Sequence, residues 1–157
     1  MGIEQIVNYL EISDGLACAG QPSREEYPLI REAGFDLVIN LAMPDSPDAI
    51  PDEAELAHSL GLGYLAIPVV WEHPTLADLT NFFEAMDQHR AQRIFVHCVL
   101  NLRASVFVYL HRVARYEYRV ARHEPQGAAW EDVLRIWTPD QTWTDFITLA
   151  VKDIARR

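Results

Sequence analysis

The chain is short of several things, and each shortage excludes something. It has only 2 cysteines in 157 residues. That is too few for a disulfide framework or a cysteine-rich metal site. Free thiols and the lack of an export signal point to the cytoplasm. Basic residues are outnumbered, 13 Lys+Arg against 23 Asp+Glu, for a net charge of -10. Nucleic-acid binding rests on Lys/Arg–phosphate contacts, so this balance argues against it. No apolar run approaches the roughly 18 residues that a membrane span needs. The start, Met1-Gly2-Ile3-Glu4-Gln5, lacks the basic and apolar parts of a signal peptide. Val7 stands where a myristoylation signal needs Ser or Thr. Neither nucleic acid nor membrane is therefore an expected partner. Repeats, low-complexity tracts and linkers are also missing.

What remains is half apolar and suited to one globular domain over residues 1–157. Strand and helix patterns alternate. Leu16–Ala19, Asp36–Leu41, Tyr64–Ile67 and Arg93–Val96 read as buried strands. Ile3–Leu10 reads as a short helix. Ser23 and Glu26 fit a capping box for a helix ending at Gly34, with Pro28 distorting its first turns. Asp52–Leu60 is a further helix, and Thr75 caps another that runs through His89. The last third is helical, around Ser105–Tyr118, Ala128–Ile136 and Thr142–Ile154. Trp130, Trp137, Trp143 and Phe146 pack these helices onto the sheet. The alternation implies an α/β fold with a mainly parallel sheet of four to five strands, flanked by helices. Ligands in such sheets gather beyond the carboxyl ends of the strands.

One such end carries chemistry. Ile94-Phe95-Val96 stops at His97-Cys98, and an amphipathic helix starts at about Arg103. Helix N-terminal N–H groups favour negative charge. With a guanidinium nearby, the same field favours a thiolate. A nucleophile and an anion site would share one loop, as covalent phosphoryl or sulfur transfer requires. A cysteine ending a buried strand is otherwise a small hydrophobe, and Cys18, with no His before it and no Arg after it, is read that way. Arg112, Arg115, Arg119 and Arg122 form a helix face interleaved with Glu117 and Glu124. A solvated face is one reading; a basic rim guiding an acidic substrate is the other.

These residues resemble the cysteine-dependent protein tyrosine and dual-specificity phosphatases, in their bacterial dual-specificity-like branch. That family carries His-Cys, five residues, Arg, then Ser or Thr, between a strand and a helix. Val96-His97-Cys98, the helix from Arg103, Gly20-Gln21-Pro22, Val38-Ile39-Asn40-Leu41 and Ile67-Pro68-Val69 carry the likeness over residues 15–115. One departure is plain: four residues, not five, separate Cys98 from Arg103. Asn101 takes the place of the usual loop glycine, and Asn tolerates a left-handed backbone best among non-glycine residues.

The resemblance implies a dual-specificity-phosphatase fold. It implies phosphate-monoester hydrolysis through a cysteinyl-phosphate, with no metal or cofactor. The substrate would be a phosphorylated protein or a small phosphate ester. Cys98 is then the nucleophile, and Arg103 with the N–H groups of Val99, Leu100, Asn101 and Leu102 binds phosphate. Ser105 donates to the sulfur, and His97 orients the loop. The family's acid is an Asp after an earlier strand, but Pro68–Pro74 contains none. Glu72 is the obvious carboxylate there, desolvated by Trp71. Asp78 and His73 are the other candidates, while Asp45 and Asp48 would shape the entrance. Two rival functions stay open: a rhodanese-like sulfurtransferase, which shares the four-residue spacing, and a weakly catalytic module that binds phosphorylated ligands.

Overall fold

Residues 2–115 and 126–157 are described in the computed structural model. Five short strands form one sheet: β1 (Leu10–Ser13), β2 (Leu16–Ala19), β3 (Leu37–Asn40), β4 (Gly63–Ala66) and β5 (Ile94–His97). Their order is β1-β2-β5-β3-β4. β2, β5, β3 and β4 run parallel, and β1 joins β2 antiparallel, so the sheet is mixed. The expected helix over Ile3–Leu10 is absent. Only a 3-10 turn forms at Ile3–Gln5, and Asn8 at φ 52° redirects the chain into β1. With only four residues, β1 was too short for its alternation to stand out.

Alternation along the strands sorts two cores. Ala17, Ala19, Val38 and Phe95 face α1 (Tyr27–Glu32) and α2 (Glu53–Ser59). Cys18, Ile39, Ile94 and Val96 face α3 (Leu76–Gln88), α4 (Leu102–Ala114), α5 (Gln126–Ile136) and α6 (Gln141–Ala155). The Ser23–Glu26 box closes both of its hydrogen bonds, yet it caps only a turn. The helix proper begins at Tyr27, where Pro28 can occupy the first turn at no cost in lost hydrogen bonds.

The tryptophans behave as core. Trp143 is buried, and the Trp71 ring lies 5.5 Å from both Trp137 and Trp143. Trp143 Nε1 donates to the Trp71 carbonyl at 3.1 Å, so the C-terminal helices hold the loop after β4. Arg119, Arg122, Glu117, Glu124 and the end of the helix at Tyr118 lie outside the described residues. Arg112 pairs with Asp132 at 2.7 Å, and Arg115 pairs with Asp87. Both arginines line a cavity beside Leu16 and Ile94, at the opposite end of β2 and β5 from Cys98. These two therefore belong to a paired helix face and form no rim around the cysteine.

Candidate active site

Period-2 alternation sends successive residues of β5 to opposite faces. His97 turns toward α1 and α2, and Cys98 toward α4. The chain then reverses into α4 through Asn101, which sits at φ 68°, ψ 11°. This is the left-handed turn expected of it. Asn101 Nδ2 donates to the Asn8 carbonyl at 2.8 Å, and Asn8 Nδ2 donates to the Leu100 carbonyl at 2.9 Å. The N–H of Gln21 donates to the Val99 carbonyl at 2.9 Å. Gly20 is needed at this crossing, because a Cβ there would lie 2.5 Å from both the Val99 oxygen and Val7 Cγ1. So the turn after β2 holds the turn after β5 in shape.

Cys98 and Arg103 line the same cavity, about 210 Å³ in volume. Val99, Leu100, Leu102 and Trp71 also line it, so Arg103 is its single charged group among the described residues. The guanidinium is largely buried and donates from Nη1 to the Val69 carbonyl at 2.8 Å. This bond anchors a cation placed against the adverse end of the helix dipole. Arg103 thus reaches the cysteine's cavity despite the shortened spacing. Among the described residues, no backbone acceptor is matched to the N–H groups of Val99, Leu100, Leu102 and Arg103. A helix start leaves such donors unpaired.

Beneath the loop lies a buried polar network that the sequence reading missed. His97 Nε2 is 2.6 Å from Glu53 Oε2, and its Nδ1 is 3.1 Å from the Cys98 carbonyl. The Tyr27 hydroxyl donates to the same carboxylate, and Gln21 Nε2 donates to Glu53 Oε1 at 3.2 Å. Burial pushes the Glu53 carboxyl up, but the bonds from His97, Tyr27 and Gln21 outweigh it and hold it below its ordinary value. A sequence signal did exist. Glu53 is in phase with Leu56, Ala57 and Leu60 on the apolar stripe of α2. A charge on that stripe needs a buried partner. His97 Nδ1 meets the Cys98 carbonyl at the base of the loop.

Three expected roles are corrected. The Ser105 hydroxyl donates to the Leu102 carbonyl at 3.0 Å, one turn back in the helix, and makes no bond to the sulfur. Glu72 is exposed on the turn after Trp71 and is not in the cavity lining. Trp71 cannot desolvate it, because the indole packs onto Trp137 and Trp143 instead. Asp78 closes a capping box with Thr75, its Oδ2 accepting from the Thr75 N–H at 3.2 Å. His73, Asp45 and Asp48 lie in loops at the same end of the sheet but outside the cavity lining. Cys18 is fully buried, as its reading as core requires, and burial pushes its thiol up to about 12.

The strand order and the cysteine turn define a phosphatase fold of the cysteine-dependent tyrosine/dual-specificity class. The chain belongs to the DUF442 family of that class. Its structure matches the DUF442 phosphatase-like protein of Shewanella putrefaciens CN-32 with a TM-score of 0.84 and 30% identity, over 97% of this chain and 96% of that one. TpbA of P. aeruginosa, solved in complex with pTyr, shares the fold at a TM-score of 0.60 and 16% identity, over 81% of this chain and 72% of that one. A beta-lactamase hydrolase-like protein of Xylella fastidiosa is 32% identical over 108 residues, 66% of this chain and 25% of its own length. The chain therefore spans about a quarter of the length of the curated relatives it matches. No family model matches. Among the described residues, no helix is long and apolar enough to cross a membrane.

Proposed function

We propose that this chain hydrolyses phosphate monoesters at Cys98, as a single phosphatase-like domain working in the cytoplasm. The observation that carries the reading is the shared cavity. A thiol at the end of β5, a guanidinium and the open N-terminus of α4 surround one space. The Cys98 thiolate attacks phosphorus, and the bond to the leaving oxygen breaks. The leaving oxygen takes a proton from solvent water and departs as the alcohol. Water then attacks the cysteinyl-phosphate, releasing inorganic phosphate and the thiolate. Arg103 and the N–H groups from Val99 to Arg103 hold the equatorial oxygens, so the reading needs no metal. The apolar lining from Trp71, Val99, Leu100 and Leu102 suits an ester whose body is apolar, such as a phosphorylated tyrosine side chain or a small aryl phosphate.

Two observations favour a second reading. Among the described residues no carboxylate lines the cavity, and the Cys-to-Arg loop has the rhodanese-like length. Sulfur transfer needs no acid for its first step. The Cys98 thiolate attacks the outer sulfur of thiosulfate, the S–S bond breaks, and sulfite leaves as an anion. The persulfide then passes its sulfur to cyanide or a thiol. One experiment separates the readings. Purified protein is given an aryl phosphate, and separately thiosulfate with cyanide, without added metal. Phosphate release that Cys98→Ser abolishes supports hydrolysis. Thiocyanate formation without phosphate release replaces it with sulfur transfer. Neither activity, together with tight binding of phosphorylated ligands, makes the chain a phospholigand-binding module.

A further inference from the structure

Glu53 is a carboxylate only 4% exposed, at the first position of α2. Burying such a charge is costly unless partners match it. Its partners converge from three elements: His97 of β5, Tyr27 of α1 and Gln21 of the turn after β2. The far side of the imidazole meets the Cys98 carbonyl. Both ring nitrogens of His97 thus face acceptors. A neutral imidazole has one N–H and leaves one of these contacts unmade, whereas the imidazolium satisfies both.

We propose that Glu53 is a positioning residue for Cys98, acting through His97. The buried carboxylate holds one edge of the His97 ring, and the other edge is thereby set against the Cys98 carbonyl. This fixes the Cys98 carbonyl and aims the following N–H of Val99 into the loop, where an N–H donor favours the thiolate. The proposal rests on reading Cys98 as the nucleophile.

Other ionisable groups among the described residues stand around the pair and the thiol. The Tyr27 phenol is held above its ordinary value by burial and by Glu53, so it donates as the neutral hydroxyl. The Tyr64 phenol of β4 is likewise held up, mainly by burial, and bonds Asn40 Nδ2 at 3.0 Å. Asp52, beside Glu53, is bound on the surface by Arg24. On the side of Cys98 stand Arg103 and the un-ionised thiol of Cys18.

The test reads Cys98 directly. Alkylation by iodoacetamide is followed against pH by mass spectrometry, which separates Cys98 from Cys18. Glu53→Gln should move the profile up by about one pH unit, a roughly tenfold loss of reactivity below the midpoint. Glu53→Asp should restore part of it. His97→Gln should give the same shift, and adding Glu53→Gln to it should give no more. A folded Glu53→Gln protein whose profile overlays the wild type overturns the proposal. Should that variant fail to fold, wild type alone decides the matter. Nitrogen NMR of ¹⁵N-histidine protein should show both ring nitrogens of His97 held in hydrogen bonds at pH 7, and a free ring nitrogen sinks the idea. Alkylation requires no substrate. A shifted profile in a protein that releases no phosphate would retain the positioning role and remove the phosphatase reading.

Discussion

The two cysteines differ in almost nothing that burial measures. Cys18 is 0% exposed and Cys98 1% exposed, and they sit on the same face of neighbouring parallel strands. Cys18 pairs with Val96, two residues before Cys98. Yet Cys18 lies inside β2, walled by the core, while Cys98 lies one residue past β5. That single step brings it to the start of α4, beside Arg103 and above the His97–Glu53 pair. On the proposed function, position along the strand separates the nucleophile from the core thiol. For the thiol within the sheet, burial outweighs a hydrogen bond with Asn101, and one at the carboxyl end meets a helix terminus and a cation.

The largest break in this comparison comes from exchanging the thiols. Cys98→Ser should reduce turnover by about 10⁴–10⁶-fold, the range of lost nucleophiles. Cys18→Ala should leave kcat/KM within about threefold and cost roughly 1 kcal/mol in a urea melt. Comparable activity losses in both would erase the distinction. Arg103→Lys comes next. It keeps a charge but not the planar fork, so kcat/KM should fall roughly 10²-fold. Full activity in that variant would mean that Arg103 serves only Val69.

Gly20→Ala probes the support between the two strand ends. Its Cβ would lie 2.5 Å from the Val99 oxygen, and overpacking of this kind costs about 1–3 kcal/mol. The urea midpoint should drop, and kcat/KM should drop about tenfold as the loop shifts. An unchanged midpoint would show that the crossing is loose.

Acid sharpens the contrast, because β5 ends at a buried carboxylate, Glu53, bonded to His97, and β2 runs out at Gly20. The folded Glu53 carboxyl lies below its ordinary 4.5. Its contribution to stability is therefore fully present above pH 4.5 and is lost as pH falls through the depressed folded value. The stability gap between wild type and Glu53→Gln should narrow over that window, and a gap independent of pH would contradict the assignment. The smallest effect belongs to Glu72→Gln. From an exposed turn it should slow activated and poor leaving groups alike, by less than about threefold. A loss of 10²–10⁴-fold confined to poor leaving groups would reinstate Glu72 as the acid.

Much of this was legible in the residues. Strand and helix periodicity placed β2 through β5, and the left-handed preference of Asn marked the turn into α4. Apolar runs and their breaks are local properties, so a linear reading recovers them. The corrections fall where local rules compete with distant partners. Ser105 was free, on paper, to reach the sulfur, but the nearer carbonyl of its own helix took the hydroxyl. Trp71 was assigned to its chain neighbour Glu72, whereas aromatic packing drew it to Trp137 and Trp143, more than sixty residues away.

The sequence by itself determined the α/β alternation, the burial of Cys18 and the arrival of Cys98 at a strand end before a helix, because hydrophobic period and turn chemistry act over a few residues. Only the tertiary structure decided that Arg103 reaches the cavity across a shortened loop, that Gly20 braces that loop, and that Glu53 lies under His97. Those facts depend on strand order, which sets β2 and β3 on either side of β5 and brings α2 across the face on which His97 lands. Distance along the chain carries no information about such neighbours. They follow from how the whole sheet buries its two faces at once.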